Sequence, residues 1–267
     1  MSGKCAFGVG CLLVAVVLLA PTRVRGDLYF DDGRTHIVDY TIADGVIVTG
    51  TTDLIVNAGG SIDGVLLQDT SRLIMNAGGS VGEIGIGESS YGAGPQVFIN
   101  GGSVGALSFF LDRGPGPGWN FGRATIRGGV IGAVEFDQRT WDIGLDIYGG
   151  QILNPNLNLD DGGFTVIHGT NFSGEVWDNP NRLSWEPGTL DLYSRVVPRV
   201  NTPNQYWVAS DYALVRGELA SGEPFEWRFN TYDGQLFLHI VPVPGALLLG
   251  GLGLSFSGWL LRRHRRR

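Results

Sequence analysis

The chain has 267 residues, of which 43 are Gly and 43% are hydrophobic, and its formal net charge is −7. Glycine without a Gly-x-y period excludes collagen, and the apolar content excludes a disordered chain. Residues 27–240 hold all 26 acidic residues against eleven Arg and no Lys, a formal −15, which excludes nucleic-acid binding by phosphate neutralisation.

Residues 1–26 read as a secretory signal peptide. Lys4 supplies the positive start and residues 11–20 the apolar core. Val24 and Gly26 are the small residues ahead of a cleavage after Gly26. An uncleaved anchor is the alternative. No Leu-x-x-Cys precedes Cys5 or Cys11 at the end of the apolar run, which argues against lipidation. Both cysteines fall in this segment, so the remainder carries neither disulfides nor thiol chemistry.

A repeat follows. Leu54-Ile55-Val56-Asn57-Ala58-Gly59-Gly60-Ser61-Ile62 matches Leu73-Ile74-Met75-Asn76-Ala77-Gly78-Gly79-Ser80-Val81 and Val97-Phe98-Ile99-Asn100-Gly101-Gly102-Ser103-Val104. Weaker copies surround Gly128-Gly129 and Gly149-Gly150, and Gly169 marks a degenerate sixth. The second Gly recurs at steps of 19, 23, 27 and 21 residues. Each unit is a short alternating strand, a Gly-Gly corner open to positive φ, and another strand. One unit cannot bury its apolar face, whereas stacked units do so through parallel ladders. The extra residues of the longer steps map to outward loops at 89–95 and 113–118. The first coil is expected to begin near Phe30, with Asp31-Asp32-Gly33 as a turn. The rival is an antiparallel β-sandwich, which has no need of one corner sequence repeated.

From Glu175 the Gly-Gly units stop and aromatics become dense. Residues 212–219, 225–231 and 235–240 read as strands, joined through 220–224 and the Tyr232-Asp233-Gly234 turn. An open solenoid end exposes strand backbone, so 176–240 is expected to form a β-rich cap or subdomain.

At the far end, Val241-Pro242-Val243-Pro244 precedes an apolar run at 246–261, and the chain closes with Arg262, Arg263, His264, Arg265, Arg266 and Arg267. As a helix the run would span roughly 25 Å, and the arginines would stay on the cytoplasmic side. A plain C-terminal anchor is one reading of this segment. The order of Pro-x-Pro motif, short span and basic cluster resembles the PEP-CTERM sorting signal, and the Gly-Gly coils resemble those of PEP-CTERM proteins and autotransporter passengers. An autotransporter itself is excluded, because residues 176–240 are too few for a twelve-strand barrel at about ten residues per strand. The tail departs from the family at Val243, where Glu is usual. The resemblance implies recognition and removal of the tail by an exosortase-type enzyme. Delivery to the cell surface or exopolysaccharide matrix would follow, after transient anchoring in the inner membrane. The expected organisation is all-β. It comprises a signal peptide (1–26), a parallel β-helix or β-solenoid (27–175), a cap (176–240) and a single transmembrane sorting helix within the tail (241–267).

Chemistry is less legible. Polysaccharide-cleaving β-helices gather two or three carboxylates on neighbouring coils, but Asp160-Asp161 stands alone, and Arg72, Arg123, Arg127 and Arg139 follow no lyase pattern. No catalytic residue is assigned, and a non-enzymatic surface or matrix role is favoured over a polysaccharide-binding or -cleaving one. His36, His168 and His239 are far apart with no second ligand at metal spacing, so each reads as a surface or packing residue. No cofactor is expected. A Ca²⁺ ion in an outward loop suits the acidity but has no motif behind it, since Gly59-Gly60-Ser61-Ile62-Asp63 fails the required spacing. Trp119, Trp141, Trp177, Trp185 and Trp207 are the candidates for stacking on sugars.

Overall fold

The computed structural model describes residues 27–89, 93–109, 120–136, 144–154, 156–159, 164–178, 181–185, 196–198, 204–208, 212–230 and 235–241. Among them every regular element is a strand. The first are β1 (Leu28–Phe30), β2 (Thr35–Val38), β3 (Thr41–Val48), β4 (Asp53–Val56), β5 (Ser61–Leu67), β6 (Arg72–Met75) and β7 (Ser80–Ile86). Next come β8 (Glu88–Ser89), β9 (Gln96–Ile99), β10 (Ser103–Phe109), β11 (Asn120–Phe121), β12 (Arg123–Ile126), β13 (Val130–Phe136), β14 (Gly144–Ile147) and β15 (Gln151–Ile152). The last are β16 (Asn156–Asn158), β17 (Phe164–Asp178), β18 (Asn181–Trp185), β19 (Val196–Pro198), β20 (Gln205–Val208), β21 (Tyr212–Leu219), β22 (Pro224–Asn230) and β23 (Gln235–Ile240).

The repeat strands build two parallel ladders. One runs β1-β3-β5-β7-β10-β13-β15, and the other runs from β2 through β4, β6, β9, β12 and β14 to β17. The main strands alternate between the two along the chain, so the polypeptide winds in a solenoid-like stack of coils. The antiparallel pairing of a sandwich does not occur between these strands. Equivalent residues of successive copies are register partners: Val56 with Met75, Met75 with Ile99, Ile99 with Ile126, and Ile126 with Ile147.

Leu54, Val56, Ile62, Val65 and Leu67 of one coil are all buried, and Leu73, Met75, Val81, Ile84 and Ile86 repeat them in the next. Burying one such side chain contributes about 1.5–3 kcal/mol, while ordering each backbone residue costs about 1–2 kcal/mol. Five apolar side chains cannot offset a coil of 19 residues alone. Stacking supplies the remainder through shared ladder bonds and core contacts.

Two residues, rather than one, separate inward Ile62 from inward Val65, so β5 bends at Asp63-Gly64. The same position in later coils is Gly82, Gly105 and Gly132. A Cβ there would lie 2.2–2.3 Å from the carbonyl oxygen of the coil before. Asp63 carries a side chain at this position in its own coil, but at the three glycines the carbonyl of the coil before leaves no room for one.

The Gly-Gly corner does not use its glycines uniformly. In the first two corners the first Gly has positive φ (Gly59 at 84°, Gly78 at 83°), whereas in the next three the second does (Gly102, Gly129 and Gly150). Four residues separate β6 from β7 but only three separate β9 from β10, and losing one residue moves the left-handed position. Gly60 is required for another reason, since a Cβ would lie 2.3 Å from Val38 O, while at Gly79 one would lie 3.1 Å from Val56. Asn76 Nδ2 donates to Asn57 Oδ1 at 2.9 Å, and Asn100 Nδ2 to Asn76 Oδ1 at 3.4 Å, forming a side-chain ladder along these corners.

Beyond β14 the pattern changes. The first half of β17 adds to the parallel ladder and takes β23 on its other edge, also in parallel. Its second half pairs antiparallel with β18 and β21. Strands β21 and β22 form a hairpin, β16 adds to β22, and β20 lies between β19 and β23. Phe172, Phe225, Trp227 and Phe229 are buried in this region. The strands expected at 212–219 and 235–240 form with those bounds, and the third runs Pro224–Asn230.

Candidate functional site

Among the residues assigned from sequence, only Val241 of the sorting tail is described; its amide donates to Gly169 O at 3.0 Å. Gly26, Pro242, Val243, Pro244 and Arg262, Arg263, Arg265, Arg266 and Arg267 lie outside the described residues, as do Asp160, Asp161, Arg139, Trp119 and Trp141. Trp207 is 41% exposed and available to a ligand. Arg72 pairs with Asp53 (Nε–Oδ1 2.7 Å, Nη2–Oδ2 2.5 Å), its equivalent one coil back. His36 stacks on Phe30 and lies 2.9 Å from Asp32 Oδ1, a hydrogen bond that holds the Asp32 carboxyl below the usual range.

Two clusters emerge instead from residues that the sequence leaves scattered. The first lies on the outer face of the long-strand ladder. Asp27, Asp44, Asp63 and Glu83 line a cleft of about 490 Å³ together with Gly45, Gly64 and Gly82. It adjoins a more apolar depression floored by Ile47 and Leu66. Glu83 is the register partner of Gly64, and Gly64 of Gly45, and Asp27 directly precedes β1, so four successive rungs of the ladder contribute. The missing side chains at Gly45 and Gly64 create the space. Asp44 Oδ1 is buried without a hydrogen-bond partner among the described residues. Such an oxygen is costly to leave bare and favours an incoming donor. Aligning Asp63-Gly64 with Gly82-Glu83 in the repeats was the available signal; only stacking adds Asp27 and Asp44.

The second cluster brings together His168 and His239, which the sequence leaves far apart and which read there as surface or packing residues. They are register partners on β17 and β23, their Nδ1 atoms 2.9 Å apart. His168 Nε2 lies 2.9 Å from Asp146 Oδ1 on β14, and the Tyr148 ring stacks on His168 at 3.8 Å. His168 is buried. Burial, and then the neighbouring His168, hold His239 below the usual histidine range, while Asp146 acts in the opposite direction. Burial and the Asp146 charge push the Tyr148 hydroxyl above its usual range. An ionised carboxylate only accepts, so Asp146 fixes the proton of His168 on Nε2. The three groups form a chain rather than a chelate. Among the described residues no group of three or more His, Cys, Asp or Glu side chains is placed to hold a metal ion.

Comparison with protein-family models, curated proteins and solved structures finds no match. The chemistry of the two sites therefore rests on their own geometry. The cleft offers carboxylate acceptors beside an apolar floor, a combination that suits a polyhydroxylated or cationic ligand. The Asp146–His168–His239 chain offers a place where protons bind within a packed joint.

Proposed function

We propose that this chain is an exported, non-enzymatic structural or adhesion protein of the cell surface or exopolysaccharide matrix, delivered by an exosortase-type system. In this reading a signal peptide ends at Gly26. A parallel β-helix follows, closed by a β-rich cap. The tail from Val241 then holds the protein at the inner membrane as a helix until processing. The observation that carries the proposal is the parallel stack of coils, which presents an acidic cleft on its outer face. Carboxylates on a rigid ladder hold hydrogen-bond acceptors at fixed spacing for a glycan. The last described strand, β23, also ends one residue before Val241. The Pro-x-Pro segment thus follows directly on the folded body, where a processing enzyme could grip an extended chain.

A second reading, a polysaccharide-cleaving enzyme, is favoured by one observation: Asp44, Asp63 and Glu83 meet in one cleft from successive coils. Incubating the full chain in mild detergent with acidic and neutral polysaccharides separates the two. Retention without release of reducing or unsaturated ends supports the scaffold. Release of such ends, lost on Asp63→Asn or Glu83→Gln, would establish the enzyme and overturn the scaffold.

A further inference from the structure

We propose that the His168–His239 contact is a pH-operated latch that holds the end of β23 against β17 and opens when both imidazoles carry a second proton.

The geometry sets the proton count. With Nε2–H of His168 committed to Asp146, its Nδ1 is a lone pair that accepts from Nδ1–H of His239 across 2.9 Å. One added proton is tolerated: it makes His168 an imidazolium beside Asp146, and His239 switches tautomer to accept. A second added proton places N–H groups on both facing nitrogens and like charges on two stacked coils. The hydrogen bond is then lost, and the pair repels.

The surroundings do not relieve that repulsion. Asp146 on β14 is the carboxylate in contact with the pair, and it already serves His168. Tyr148, stacked on His168, stays neutral. Arg127, at the end of β12, acts on Tyr148 and is itself a cation. Gln205, the register partner of His239 on β20, carries no charge. In the β21–β22 hairpin, Glu223 is engaged by Gly150 N and Ser221 Oγ, and Glu218 by Asn171.

The joint lies where release has a consequence. Beyond His239, Ile240 N donates to Asn204 O at 2.8 Å and Val241 N to Gly169 O at 3.0 Å. Pro242 has no N–H to donate. Opening the pair removes the side-chain tie next to these two backbone bonds and so weakens the end of β23 before the tail, whether or not that tail is processed.

Hydrogen exchange of the full chain in mild detergent tests this, at about pH 7.5 and about pH 5, after correction for intrinsic rates. Protection of residues 235–241 should fall by about tenfold at the lower pH as the joint opens locally, while residues 53–67 stay unchanged. In His239→Gln the difference between the two pH values should vanish. Equal protection at both pH values, or a fall that persists in His239→Gln, would overturn the latch. Should that variant not fold, proton NMR of the unmodified chain decides. His239 is expected to take up its proton below the ordinary histidine value, held there by burial and by His168. Titration of His239 at the ordinary histidine value would overturn the proposal.

Discussion

Gly82 lies directly over Asp63: a Cβ on Gly82 would stand 2.2 Å from the Asp63 carbonyl oxygen. The contact is backbone, so nothing flexible can give way. Gly82→Ala should destabilise the chain by about 3 kcal/mol, at the upper end for overpacking. One position along the neighbouring rung, Gly64 has only Glu83 O at 3.9 Å, so Gly64→Ala should be tolerated for space. Urea unfolding of the two variants checks the contrast, and equal midpoints would count against the bend.

Backbone strain is separable from crowding. Gly222 has φ of 94° with nothing within 4 Å of its absent Cβ, whereas Gly78 has φ of 83° and Ala58 Cβ at 3.0 Å. Gly222→Ala should cost about 1–2 kcal/mol, the left-handed penalty alone. Gly78→Ala should cost more. Thermal unfolding ranks them.

The Asp53–Arg72 pair makes a smaller, pH-dependent contribution. The Arg72 hydrogen bond holds the Asp53 carboxyl below its ordinary value of 3.8. A depressed carboxyl pKa stabilises the fold above the unfolded value, and the contribution disappears as pH falls through the folded one. Arg72 is 48% exposed, so Arg72→Met should cost less than about 1 kcal/mol, and less still in high salt. The difference between variant and parent should shrink towards zero below the Asp53 pKa.

His239 has the opposite dependence. Its pKa is held below the ordinary 6.5, so the unfolded chain binds more protons once pH drops under that value. Stability should be full above 6.5 and decline as pH falls towards the folded pKa. His239→Gln should flatten that decline in denaturation curves taken across the range.

Export and sorting are checked by mass. N-terminal sequencing of the extracellular form should begin at Asp27, and a retained Met1 would refute the signal peptide. Its intact mass should end close to Pro244, whereas a form that keeps Arg267 would mean a permanent anchor. Val243→Glu should preserve surface display.

Much of the architecture was legible locally. Alternation in Leu73-Ile74-Met75 places two residues inward and one outward, and the Gly-Gly corners mark where each strand stops. The strands Tyr212–Leu219 and Gln235–Ile240 likewise follow from their own alternation and the turn residues between them. These features depend on φ, ψ and side-chain direction within a few residues. Which glycine of a corner takes positive φ, and which must yield to a neighbouring carbonyl, depends on the coil beneath, and so is decided only when coils stack. The same holds for chemistry. His168 and His239 are 71 residues apart and meet because β23 returns alongside β17. Asp27, Asp44, Asp63 and Glu83 share a cleft because the parallel ladder stacks their strands, Glu83 beside Gly64 and Gly64 beside Gly45. Residue type and period determine a strand, but a site needs the distance between strands, and that distance exists only once the ladder has formed.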